Sequence, residues 1–124
     1  MIQHRSILSA ADNSGAKRLM VIQTYGGSRR RFGRIGDLLN CVIKEASPTG
    51  QVKASEMVKV VLVRSRKEYK RADGSYVRFS DNAGVLIDNA KDKNPIGTRI
   101  FGPIAREVKD RGYAKIASMA PEVV

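Results

Sequence analysis

The 124-residue chain has little of the side-chain chemistry from which catalytic and metal centres are built. It contains one histidine, His4, and one cysteine, Cys41, so it lacks both the clustered ligands of a usual zinc site and the histidine partners of a nucleophilic relay. Its 12 carboxylates are mostly interleaved with basic residues, and no Walker A phosphate loop is present. The sequence therefore predicts a protein that is not an enzyme and that needs no metal ion or cofactor.

Disulfides, secretory signals and membrane spans are also not indicated. Cys41 cannot form an internal disulfide and lies in an apolar stretch typical of a strand, so we expect a buried thiol in a reducing compartment. No apolar run approaches about 18 residues, the length of a membrane span, and residues 1–15 lack the apolar core of a secretory signal. We expect a cytoplasmic protein, with an organellar matrix or stroma as the alternative compartment, and no membrane partner.

Positive charge is what the chain has in excess. It carries 23 lysines and arginines against 12 acidic residues, which gives a net charge of +11 and a pI near 10.2. Such an excess on a small protein favours a polyanionic partner, most often a nucleic acid.

Short apolar runs alternate with turn signals as far as about Ile100, the pattern of an all-β barrel or sandwich. The predicted strands cover residues 2–10, 16–25 and 37–46, followed by a long hairpin over 57–89. We expect a single domain over residues 1–124, with the barrel at about 1–102 and a short helical tail at about 103–120.

The predicted tail begins with Pro103 in the first turn of a helix and ends at Gly112. Ile104 and Val108 fall on one helical face. Glu107 and Arg111 are spaced for an i,i+4 ion pair. One or two further helical turns are expected over residues 113–119.

The 57–89 hairpin has an apolar root, expected to be buried on both faces, and a strongly basic tip. Asp73-Gly74 is a strong signal for a two-residue type I′ turn. That turn would pair Val61 with Leu86 at the root, unless a bulge near residues 80–82 breaks the register. At the tip it would pair Arg71 with Tyr76 and Tyr69 with Arg78, which places arginines and tyrosines on one face.

Three basic patches are candidate RNA contacts: the loop 28–34, the hairpin tip 64–78 and the tail 106–115. Clustered arginines repel one another unless phosphates supply the counter-charge, and tyrosines can stack on unpaired bases. For each patch the alternative is a solvated face, and the tail is equally suited to a protein partner. The RNA-binding candidates are Arg29, Arg30, Arg31, Arg34, Arg64, Arg66, Lys67, Tyr69, Lys70, Arg71, Tyr76 and Arg78.

A free-standing OB-like RNA-binding protein or RNA chaperone is the alternative function. Such modules stack bases on several aromatic side chains of one sheet face. This chain has three Phe, four Tyr and no Trp, and they are spread along the sequence, which counts against that function.

Several separate motifs resemble, in order and over the whole length, the family of bacterial-type large-subunit ribosomal protein fourteen. They are MIQ at 1–3, ADNSGA at 11–16, GGSRRR at 26–31, GD at 36–37, KEASPTGQVK at 44–53, PIGTRIFGPIARE at 95–107 and MAPEVV at 119–124.

The hairpin also carries the family's signature, in which three aliphatic residues precede Asp-Gly, an aromatic residue, Asn and Val. The matching residues are Val61, Leu62, Val63, Asp73, Gly74, Phe79, Asn82, Val85 and Leu86. Val60 departs from the family, which has alanine or glycine at that position. The larger side chain is expected to crowd a neighbour.

The resemblance implies a mainly β fold: a closed five-stranded β-barrel with a protruding β-hairpin and short C-terminal helices. It implies a structural constituent of the large ribosomal subunit that binds large-subunit rRNA and contributes to bridges with small-subunit rRNA. The neighbours would be large-subunit ribosomal proteins three and nineteen, with a ribosome-silencing factor as a further partner. The residues that match this protein-partner or bridge surface are Thr98, Arg99 and Lys115.

Overall fold

The computed structural model describes residues 2–25, 32–88 and 93–124, and in this part of the chain strands predominate. The elements are β1 (Ile7–Ala10), β2 (Ala16–Thr24), β3 (Leu38–Ala46), β4 (Met57–Arg64), β5 (Tyr69–Lys70), β6 (Tyr76–Val77), β7 (Ala83–Ile87), α1 (Arg106–Asp110) and α2 (Ala114–Met119).

Five of the strands close into a barrel in the order β1-β2-β3-β4-β7. Successive neighbours pair antiparallel, and the barrel is closed by a short parallel contact that joins Ser9 to Ala83 and Ala10 to Gly84. Strands β5 and β6 form a separate two-stranded ribbon between β4 and β7. The predicted mainly β fold, with a closed five-stranded barrel and two short helices near the C-terminus, is confirmed.

Strand β4 lies between two apolar clusters because its side chains alternate between its two faces. Val60 and Leu62 belong to the cluster that fills the barrel, together with side chains of all the other barrel strands. Val61 and Val63 belong to a second cluster, which also contains Ile104 and other residues of the C-terminal segment. All four of these β4 side chains are buried, which confirms a strand root covered on both faces.

Val60, the position at which the chain departs from the family pattern that it resembles, faces a glycine. A Cβ added to Gly84 would overlap Cγ1 of Val60, and Val60 itself is fully buried. The predicted crowding at Val60 is therefore accommodated on β7, where the neighbouring residue has no side chain.

The register of the long hairpin differs from the predicted one by one residue at the root and at the tip, and an irregularity between Leu62 and Arg64 brings Arg64 opposite Ala83. At the root Val61 pairs with Val85, and at the tip Tyr69 pairs with Val77. The predicted Val61–Leu86, Arg71–Tyr76 and Tyr69–Arg78 pairs are therefore wrong. Successive side chains of a strand point to opposite faces of the sheet. A one-residue shift therefore changes which side chains of the two strands share a face.

At the tip, the cause of the shift lies in the turn, which holds three residues, Ala72-Asp73-Gly74, instead of two. The amide of Arg71 donates to the carbonyl of Ser75 at 2.8 Å, and in the turn only Gly74 has a positive φ, of 90°. This is the pattern of a type I turn followed by a glycine bulge. The Asp73 carboxylate accepts hydrogen bonds from the hydroxyl and amide of Ser75 at 2.6 and 2.9 Å, and these bonds lower its pKa.

The C-terminal segment agrees with the prediction in its buried face and differs at its start. Ile104 and Val108 are fully buried, and Gly112, with φ of 95°, follows the C-cap of α1, as predicted. The helix begins at Arg106 with Ala105 as N-cap, so Pro103 precedes the helix and its predicted place in the first turn is wrong. Helix α2 occupies the predicted second stretch.

Candidate nucleic-acid interface

Arg64, at the end of β4, is bound within the protein. Its guanidinium donates to Asp81 Oδ1 at 3.1 Å and to the carbonyl oxygens of Phe101 and Pro103 at 2.8 and 3.1 Å. A Cβ on Gly102 would lie 2.5 Å from Arg64 Nη1, and Gly102 has φ of 79°, so this close approach requires glycine. Since only 11% of the Arg64 side chain is exposed, its main role is to hold the 101–103 segment against the barrel.

Arg71, near the tip of the ribbon, is also engaged internally. Its Nε and Nη2 atoms donate to the two carboxylate oxygens of Glu107 at 2.9 and 3.0 Å, and Nη2 donates to the Val124 carbonyl at 2.6 Å. The hydrogen bonds to Glu107 raise the pKa of Arg71. Such a bidentate arginine–carboxylate ion pair is stronger than an ion pair with a single hydrogen bond. Arg71 therefore fastens the ribbon to α1 and to the C-terminal strand-like residues.

The predicted Glu107–Arg111 pair is wrong because each residue has a partner from another part of the chain. Glu107 binds Arg71, and Arg111 Nη1 donates to Asp37 Oδ1 at 2.9 Å. The Asp37 side chain is only 3% exposed. The ion pairs of Glu107 and of the C-cap residue Arg111 thus connect α1 to the ribbon and to the loop before β3.

Arg66 and Arg78 remain open to solvent and line one hollow of the surface, together with Phe79 and Ser80. Within the described ranges neither guanidinium has an ion pair or a side-chain hydrogen bond. The amide of Arg66 donates to Asn82 Oδ1 at 2.8 Å, which fixes the backbone that carries this side chain. Two arginines on one hollow are well suited to phosphate oxygens.

A neighbouring cavity of about 230 Å³ combines basic and aromatic side chains. It is lined by Arg34, Lys67 and Lys70, with Tyr69 and the buried Ile35 as its apolar side. Lys67 forms an exposed pair with Glu68 at 3.2 Å, and an exposed pair of this kind is weak and easily exchanged for a phosphate contact.

The two tyrosines of the ribbon have different environments. Tyr69 packs against the second apolar cluster, which contains Val61 and Val63, whereas 63% of Tyr76 is exposed. Tyr76 pairs with Lys70 across the ribbon, so a lysine side chain and an exposed tyrosine ring lie side by side at the tip. The predicted basic and aromatic tip is thus present, although with other partners than those predicted.

Three sequence candidates, Arg29, Arg30 and Arg31, lie outside the described residues.

The second candidate surface, Thr98, Arg99 and Lys115, is held by two amide side chains. Asn13 Oδ1 accepts hydrogen bonds from the amides of Thr98 and Arg99 at 2.8 and 3.1 Å, and Asn13 Nδ2 donates to Thr98 Oγ1 at 3.0 Å. Lys115 Nζ donates to Asn94 Oδ1 at 2.6 Å. All three candidates are exposed and are tied to the segment 94–99.

The ADNSGA motif shows what sequence reasoning foresaw and what it missed. Asp12 accepts hydrogen bonds from Ser14, as a turn residue should, and it also accepts one from the amide of Leu86 at 3.2 Å. Burial raises the pKa of this carboxyl group. The bonds from Asn13 to residues 98 and 99 span about 85 positions, and no local pattern signals them.

Among residues 2–25, 32–88 and 93–124, no group of three or more His, Cys, Asp or Glu side chains is placed to hold a metal ion. None of the helices described is long and apolar enough to cross a membrane.

Comparison with known proteins gives the family. The family model described as "Ribosomal protein L14p/L23e" matches residues 1–124, the whole chain, which confirms the resemblance carried by the motifs. The family is one of structural proteins and not of enzymes, and its members are incorporated in the ribosome with rRNA and other ribosomal proteins. The chain belongs to this ribosomal protein family and is a structural constituent of the large ribosomal subunit.

Proposed function

We propose that the solvent-facing lysine and arginine side chains of the ribbon and of its neighbouring loop contact large-subunit rRNA. The observation that carries the proposal is the hollow lined by Arg66 and Arg78, whose guanidinium groups form no ion pair and no hydrogen bond within the described residues. The cavity beside Arg34 and Lys70 extends the same basic surface. The basic residues Arg64 and Arg71, which form ion pairs inside the protein, position this surface.

The contacts of this surface are to phosphate and sugar groups, so the protein reads the shape of folded RNA more than its sequence. Charge-assisted hydrogen bonds from arginine to phosphate oxygens supply most of the affinity. Tyr76 adds one exposed ring, on which a single unpaired base can stack. The arginines at 29–31 add further phosphate contacts in this proposal.

The surface formed by Thr98, Arg99 and Lys115 is proposed as the bridge or protein-partner surface. Its partners would be small-subunit rRNA across the interface, the neighbouring ribosomal proteins three and nineteen, and a ribosome-silencing factor. The support is that Asn13 and Asn94 fix these exposed groups before any partner binds. A fixed surface loses little conformational entropy on association.

Binding of the isolated protein to a large-subunit rRNA fragment, measured against salt concentration, tests the RNA proposal. If six to ten phosphates are neutralised, affinity falls by roughly 10³ to 10⁵ between about 50 and 200 mM salt, by analogy with DNA. The double variant Arg66→Gln, Arg78→Gln should bind more weakly and reduce the slope of log affinity against log salt by about two. Arg18→Gln is the control, because Arg18 lies on β2 and pairs with Glu45. An unchanged slope in the double variant would contradict the proposal.

A further inference from the structure

A row of apolar side chains crosses the outer surface of the barrel. Ile7 pairs with Met20, Met20 with Val42, and Val42 with Met57, so the four lie side by side on β1, β2, β3 and β4. We call this row the outer stripe. Ile7 is 44% exposed and Met57 is 63% exposed, while Met20 and Val42 are half-buried.

The outer stripe is separate from both apolar cores. None of its four residues belongs to the cluster inside the barrel or to the cluster beneath the C-terminal helices. Ile22, 38% exposed, adjoins it at a bulge of β2 and widens the apolar area. Contiguous exposed apolar side chains are typical of an interaction surface, whereas isolated ones are not.

The rows on either side of the outer stripe are polar. On one side Arg18 pairs with Glu45, and on the other Asn40 pairs with Lys59. Lys44 lies two residues beyond Val42 on the same face of β3, and Lys59 lies two residues beyond Met57 on β4, so the two lysines border the stripe on opposite sides. Neither has an ion pair or a side-chain hydrogen bond in the described part of the chain.

This combination decides the chemistry of the occupant. Aliphatic and thioether side chains offer no hydrogen bonds to phosphate or sugar, so the stripe is not suited to RNA. A second copy of the chain would bring the lysine borders of two molecules together, which is unfavourable. A protein segment with an apolar face and acidic residues on both flanks would cover the apolar side chains of the stripe and form ion pairs with both lysines.

The spacing of the stripe indicates a helix. Neighbouring strands are about 4.8 Å apart, so four strands place apolar side chains at that interval over about 14 Å. A helix laid across the strands presents one apolar side chain per turn of about 5.4 Å, and about ten residues cover this length. An extended segment repeats only every 6.6 Å or so on one face, which matches less well.

We propose that the outer stripe binds an amphipathic helix of another protein, with apolar residues at i, i+3 or i+4, and i+7 and with acidic residues facing Lys44 and Lys59. This mode is helix-in-groove recognition applied to the outside of a barrel. It uses a part of the molecule that the proposed RNA contact leaves unoccupied.

Photo-crosslinking from the stripe tests the proposal. The full chain is expressed in cells with p-benzoylphenylalanine at position 57 in place of Met57, irradiated, and the crosslinked product is identified by mass spectrometry. The expected product is one protein, joined through a peptide with apolar residues at helical spacing and acidic residues beside them. The same crosslinker in place of Phe101, whose side chain is 51% exposed, is the control and should not give that product.

Charge reversal at the borders gives a second readout. Lys44→Glu with Lys59→Glu should lower the crosslink yield roughly five-fold, since each exposed charge pair contributes a modest free energy. Lys109→Glu, on α1, should leave the yield unchanged. A product that is RNA, lipid or a second copy of this chain would overturn the proposal. So would a partner peptide without acidic residues, or a yield no higher than from position 101. These outcomes are read from the crosslinked product itself, so they are distinct from failure of the RNA proposal.

Discussion

At the scale of single residues, the arginines of the hairpin divide into two groups that the sequence does not distinguish. Arg64 and Arg71 are bound to carboxylates and carbonyl oxygens of the protein, whereas Arg66 and Arg78 face solvent. The internal pairs cost desolvation and hold the geometry, and the solvent-facing guanidinium groups of Arg66 and Arg78 remain available for phosphate. The two groups should respond differently to the same substitution.

Arg71→Gln should lower the free energy of unfolding by about 1–3 kcal/mol, because the Glu107 carboxylate loses its partner. Arg66→Gln should leave the free energy of unfolding within about 0.5 kcal/mol of the wild type, as is usual for exposed side chains, and should weaken RNA binding. Urea unfolding together with RNA binding at fixed salt measures both. Equal loss of stability in the two variants would contradict the division.

Val60 and Gly84 form a size-matched pair inside the barrel wall. Gly84→Ala should destabilise the protein by about 1–3 kcal/mol through overlap with Val60, and Val60→Ala by roughly 2 kcal/mol through the cavity left behind. The double variant should be more stable than the sum predicts, with a coupling of about 0.5–3 kcal/mol. A double-mutant cycle by urea unfolding measures the coupling, and additive effects would show that the two side-chain volumes are independent.

Cys41 should be unreactive in the folded protein. It is fully buried, and burial raises the pKa of its thiol to about 12, so almost no thiolate exists near neutral pH. Iodoacetamide at pH 8 should therefore label the unfolded chain and leave the native chain unlabelled. Rapid labelling of the native protein would mean that the barrel opens around β3.

At the scale of elements, the ribbon shows how far the sequence determines the structure. The strands, the apolar root and the position of the turn follow from local patterns, because apolar alternation and Asp-Gly are short-range signals. The register does not follow, because Asp-Gly fits both a two-residue turn and a three-residue turn with a glycine bulge. The partner of Arg71 lies on α1, 36 positions away, and no spacing rule reaches that far.

The register makes a direct prediction for disulfide formation. Lys70 pairs with Tyr76, and since the flanking Arg71–Ser75 pair is hydrogen-bonded, Lys70 and Tyr76 form a non-hydrogen-bonded pair with close Cα atoms. The variant Lys70→Cys, Tyr76→Cys should form a disulfide readily under mild oxidation. The variant Arg71→Cys, Tyr76→Cys should form the disulfide much less readily. The reverse order of rates would contradict the three-residue turn and indicate the two-residue turn.

At the scale of the whole molecule, the barrel separates three surfaces. The ribbon side carries the free arginines, the 94–99 segment carries Thr98 and Arg99, and the outer stripe crosses β1 to β4. The excess charge of +11 and the family motifs together predicted the polyanionic partner and the ribosomal assignment. The stripe could not be predicted, because apolar residues of separate strands become neighbours only once the register is known.

Sedimentation of a cell extract through a sucrose gradient, with detection of this chain, tests the central claim most directly. The account predicts that the chain comigrates with the large ribosomal subunit and remains there after a wash at moderate salt. Residence at the top of the gradient or among free RNA would contradict it and would favour the free-standing RNA-binding protein instead.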